Sequence, residues 1–159
     1  MFDIRNYNSY GGTAQLVFRI FLRFFQFVLA ITVAGLYGTD LNNARKVDAY
    51  TDSKWLYAVI VAAMSAITTL FYGLPIVRSW LFFIWDAILF ILWVAVFGIF
   101  GKMYIDEDPE GNGGIQRMKN AVWVDLVNML MWFVTAVYGA FAFFSIKRGR
   151  TLHTGRATV

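Results

Sequence analysis

Cysteine is absent from this sequence, and histidine occurs once, as His153. The first absence excludes disulfides, thiol catalysis, cysteine-based metal sites and S-palmitoylation. The single histidine excludes a multi-histidine metal centre of the kind membrane desaturases and hydroxylases require. No Asn-x-Ser/Thr sequon occurs, so N-glycosylation is not expected. Charge is scarce too. Charged residues make up 15% of the 159, well below the quarter or so that is usual in soluble domains. Hydrophobic residues make up 59% and aromatic residues 19%. A soluble fold of this length could not hide that much apolar surface, so the bilayer must be part of the solvent. The net charge of +4 comes mainly from the tails and argues for an anionic leaflet rather than nucleic acid.

Four apolar stretches are present. The last is the clearest: Leu126 to Ile146 is 21 residues without a charge, and a helix crossing a bilayer needs about 20. Asp125 sits just inside its start, and Lys147, Arg148 and Arg150 close it. The pattern predicts spans at about 16–37, 55–77, 79–101 and 121–146, within a single domain covering 1–159. Outer loops are expected at 38–54 and 102–120, with a tail at 147–159. Trp55 and Tyr57 read as interface anchors at the start of the second span. Ala62, Ala63, Ser65 and Ala66 read as a small-residue face that lets helices approach. Gly73, Pro75 and Arg78 mark a tight turn. A signal peptide is disfavoured because Arg19 and Arg23 reach too far into the first apolar run.

Basic residues set the expected orientation. With both tails inside, the cytosolic side carries eight of the 14 lysines and arginines and the other side six. The clusters flanking spans one and four sharpen that margin. The fold expected is an all-α integral membrane four-helix bundle with cytosolic N- and C-termini. A faint repeat accompanies it: Asp86 precedes Trp93, and Asp125 precedes Trp132, by seven residues each.

Ionisable groups within a span cost about 2.5–3.5 kcal/mol each on insertion scales, so Arg23, Asp86 and Asp125 need partners. Arg23 and Asp86 lie at similar depths, roughly 10 Å from the cytosolic side at 1.5 Å per residue, and are expected to pair across spans one and three. Asp125 enters from the opposite side, too far from Asp86 for a carboxylate dyad. A proton or ion relay competes with a structural clamp. The clamp is favoured because the sequence offers no polar ladder between the acids, and relays use chains of such groups. Asn128, Thr135 and Ser65 are candidate inter-helix hydrogen bonders. Arg19, Lys147, Arg148 and Arg150 read as anionic-lipid contacts or as topology signals. His153 reads as a solvated tail residue, and the acidic run Asp106 to Glu110 lacks the spacing of a calcium loop. No catalytic set, cofactor site or metal site is predicted.

Several features together resemble the small fungal MARVEL-domain proteins. These are the four spans with short tails, Asp86 after Trp85, the Trp123-Val124-Asp125 opening of span four, and the KRGRT…HTGRATV end. The resemblance covers essentially the whole chain and is strongest from Gly98 to Trp132. It implies a four-helix membrane bundle related to occludin, synaptophysin and the myelin-and-lymphocyte proteins. Members of that family organise membranes in lateral microdomains, vesicle traffic and junctions, and fungal relatives are associated with eisosomes of the plasma membrane. The family carries no accepted catalytic set. The loop disulfides of some animal members are impossible here, which argues against junction-type adhesion. The expectation is a non-enzymatic membrane organiser in the plasma membrane. Its expected partners are membrane lipids and either copies of itself or a larger membrane complex, and not nucleic acid. The alternative is a small channel, transporter or accessory subunit using Arg23, Asp86 and Asp125.

Overall fold

The computed structural model describes residues 13–46, 53–72 and 83–151. The predicted turn at Gly73, Pro75 and Arg78 and the tail residue His153 lie outside these residues. Four helices account for nearly everything described: α1 (Thr13–Lys46), α2 (Ser53–Tyr72), α3 (Phe83–Tyr104) and α4 (Gly113–Thr151). Each contains a stretch long and apolar enough to cross a membrane. The chain is an all-α integral membrane protein whose helices form a bundle.

The interior face of each helix recurs at steps of three and four residues. In α1 it is Gln26, Ala30, Val33 and Tyr37. In α3 it is Asp86, Leu89, Trp93, Val96 and Phe100, and in α4 Asp125, Asn128, Trp132 and Thr135. This near-heptad spacing keeps one seam facing its neighbours and suits shallow helix crossings. α1 packs against α2 and α4, and α3 packs closely on α4 and more loosely on α2. The order around the bundle is therefore α1–α2–α3–α4. The remaining faces expose large apolar side chains, among them Phe18, Phe24, Leu70, Ile91 and Phe141. In water such a surface would aggregate, whereas in lipid it is the solvated face.

The helices differ from the predicted spans at their ends. α1 runs nine residues past position 37, and α4 starts eight residues before position 121. The segments read as loops because of their charge are partly helix, continued beyond the apolar core. At 1.5 Å per residue, the 34 residues of α1 and 39 of α4 make rods of roughly 50–60 Å, against about 30 Å of hydrocarbon. Their overhanging ends are tied together where Arg117 of α4 pairs with Asp40 of α1. Arg45 and Lys46 fall in the last turn of α1, where cations suit the helix dipole. Before α4 the chain reverses through Glu110 (φ 44°) and Gly111 (φ 84°). Asn112 then caps the helix, its Oδ1 accepting a hydrogen bond from Gly114 N at 2.9 Å.

One local expectation changes. Ala63 points outward, and the small buried face of α2 is Ala58, Ala62, Ser65 and Ala66. Adjacent residues on a helix sit about 100° apart, so Ala62 and Ala63 cannot share one face. Trp55 and Tyr57, read from sequence as interface anchors, are half-buried against the bundle. The Trp55 ring meets Phe100 edge-on at 5.3 Å, and the Tyr57 hydroxyl donates to the Leu92 carbonyl at 3.2 Å. The Tyr57 hydroxyl thus finds a partner inside the bundle, as buried tyrosines usually do, whereas the Trp55 indole N–H is buried without one.

Candidate functional site in the bundle interior

The buried polar side chains gather at two depths, and α1 contributes to both. Arg23 and Gln26 lie one turn apart near the start of α1, so they share a face. Arg23 Nη2 is 2.5 Å from Asp86 Oδ2 of α3, and its Nη1 donates to Gln26 Oε1 at 2.9 Å. Gln26 Nε2 in turn donates to Thr135 Oγ1 of α4 at 3.3 Å. The Tyr72 and Thr135 hydroxyls lie beside the same carboxylate. The guanidinium also stacks over the Tyr72 ring, at 4.4 Å from its centroid, and lies 5.3 Å from that of Trp132. This centre thus joins all four helices around one ion pair. The Asp86 side chain is 3% exposed and that of Arg23 19%, so the cation keeps an edge toward the bundle surface.

The second centre lies two to three turns further along α4. The Tyr37 hydroxyl donates to Asp125 Oδ2 at 2.5 Å, and both residues are fully buried. Tyr37 packs on Phe100 at 4.3 Å, and Phe100 continues to Trp55 and Tyr104. These aromatics close the bundle on the side of the overhanging helix ends. Arg23 and Tyr37 are 14 residues apart, close to four full turns, so one face of α1 serves both acids.

Arg23 and Asp86 are therefore brought together, and Asp125 is placed apart from them with a partner of its own. The two acids do not form a dyad. Between them, however, α4 presents Asn128, the Trp132 indole and Thr135 on its interior face. Thr135 and Ser65 do bridge helices, accepting from Gln26 Nε2 and Trp93 Nε1, whereas the buried Asn128 side chain and Trp132 indole make no hydrogen bond to another side chain. Gln26 and Tyr37 are the members of these centres that the sequence reading did not single out. The legible signal was their step of three and 14 residues from Arg23. Asp86, Trp93, Asp125 and Trp132, the members of the faint repeat, are all buried, but their partners differ.

Arg19 is half-buried on α1. Lys147, Arg148 and Arg150 belong to the last turns of α4, and their side chains lie outside the described residues. Among the described residues, no group of three or more His, Cys, Asp or Glu side chains could hold a metal ion.

The chain matches no known protein family, no curated protein and no solved structure.

Proposed function

We propose that this protein is a non-enzymatic membrane organiser, acting through helix packing, lipid contact and self-association, with both tails in the cytosol. The observation that carries the reading is the division of labour in the bundle. Arg23, Asp86 and Asp125 within the spans are partnered in the bundle interior, while all four helices present large apolar side chains outward. Such a body interacts with its surroundings mainly by matching lipid thickness and by packing against other helices. The basic residues Arg19, Lys147, Arg148 and Arg150 would hold the cytosolic leaflet. The likeness to fungal MARVEL proteins favours the plasma membrane and an eisosome-type microdomain.

Transport is the second reading, favoured by the buried polar face of α4. One experiment separates the two. The protein is released from lipid nanodiscs into a native mass spectrometer, and its ion flux is measured in liposomes. A discrete oligomer, or retained lipid or partner, with no flux is expected. A bare monomer that conducts ions would overturn the organiser reading.

A further inference from the structure

Four buried polar atoms on consecutive turns of α4 have no partner in the protein: Asp125 Oδ1, Asn128 Oδ1, Asn128 Nδ2 and Trp132 Nε1. Their residues are all fully buried. Leaving such groups unpaired at membrane depth costs several kcal/mol each, which a packed bundle does not sustain four times over. We propose that this face of α4 is an internal water-binding site, in which a short file of water molecules links Asp125, Asn128 and Trp132.

The chemistry selects the ligand. Carboxylate Oδ1 and amide Oδ1 are acceptors, whereas amide Nδ2 and indole Nε1 are donors. The unpaired atoms thus present both kinds along one line. A metal or ammonium cation would satisfy the acceptors and leave two N–H groups facing a positive charge. An anion would satisfy the donors and face the Asp125 carboxylate. Water both donates and accepts, and it is small. The spacing suits it as well. Residues three or four apart on a helix have side chains about 5–6 Å apart, close to the span of one bridging molecule making two hydrogen bonds. Buried waters commonly make about three such bonds to groups of this kind.

The placement defines the site's direction of access. On the Asp125 side, Tyr37, Phe100 and Trp55 pack against one another, tilted and edge-on, as an aromatic seal. On the Trp132 side, the line continues through Thr135 and Gln26 to Arg23, the partly exposed member of the interior set. Water therefore exchanges through the Arg23 end, and the file is blind at Asp125.

Trp93 supplies an internal control. Its indole is as deeply buried as that of Trp132, but its Nε1 donates to Ser65 Oγ at 2.9 Å. The test is water-edited solid-state NMR on the full-length, isotope-labelled protein in lipid bilayers. Magnetisation from water is expected to reach the Asn128 amide and the Trp132 indole several-fold faster than the Trp93 indole. Asn128→Leu is expected to slow transfer to Trp132 several-fold and leave Trp93 unchanged. The wild-type comparison stands by itself if that variant does not fold. Equal and slow transfer to both indoles would overturn the proposal. So would a direct Asn128 Nδ2–Asp125 contact without water transfer, which would mean that the side chains satisfy one another.

Discussion

Asp86 is held by one strong partner, and so is Asp125, but the partners differ in kind. Arg23 offers Asp86 a charge, and removing either residue leaves the other uncompensated in a low-dielectric interior. Asp86→Ala is expected to lower the unfolding free energy in mixed micelles by about 3 kcal/mol, the lower end for a buried pair because the Arg23 side chain keeps 19% exposure. Replacing both, as in Arg23→Met with Asp86→Leu, should recover most of that loss, since a packed apolar pair replaces the ions. A double variant no more stable than the single one would show that the pair's other contacts dominate. Tyr37 offers Asp125 only a hydroxyl. Tyr37→Phe keeps the ring against Phe100 and strips the donor, at an expected cost of about 1–3 kcal/mol for a buried acceptor left unpaired. The Arg23–Asp86 pair could be anticipated because depth along a span follows from residue count and only one cation shared the depth of Asp86. Tyr37 could not, because many aromatics fit an apolar run and sequence alone does not reveal which hydroxyl meets an acid.

Between elements, the contacts are of two sorts. α3 and α4 approach closely at Gly139, where an added Cβ would lie 2.8 Å from Phe83 Cβ and 3.4 Å from its Cα. Gly139→Leu must therefore push the start of α3 away, and overpacking of this kind costs about 1–3 kcal/mol. A loss of helix proximity, measured as reduced cross-linking between cysteines introduced on α3 and α4, would accompany it. α2 and α3 stand further apart and are bridged by indoles. Trp93 Nε1 donates to Ser65 Oγ at 2.9 Å, and Trp85 Nε1 to Thr68 Oγ1 at 3.0 Å. A double-mutant cycle on Trp93→Phe and Ser65→Ala is expected to give a coupling near 0.6 kcal/mol, the average for such bonds within a membrane. The four helices were legible because apolar runs of about 20 residues admit few other structures in lipid. Their ends were not. Charge marks where the bilayer stops, whereas helix continues wherever capping and pairing favour it, as Asn112 and the Arg117–Asp40 pair do here.

For the whole molecule, α1 is the common strut: both buried acids find their partner on it, across 63 and 88 residues of sequence. The protein should therefore unfold as one unit in mixed micelles, and Asp86→Ala should lower the stability of every helix together. Site-specific fluorescence probes on α2 and α4 would report the same midpoint in wild type and variant, and separate midpoints would contradict this. The same arrangement has a consequence for synthesis. α1 leaves the ribosome before α3, so it carries Arg23 without its counter-ion until α3 brings Asp86. α4, made after the other three helices, reaches lipid with an acid whose donor lies on α1. Assembly is thus completed only after all four helices have been inserted. A chain that lost its first span would present two unmatched acids to the bilayer, a mark that membrane quality control can recognise.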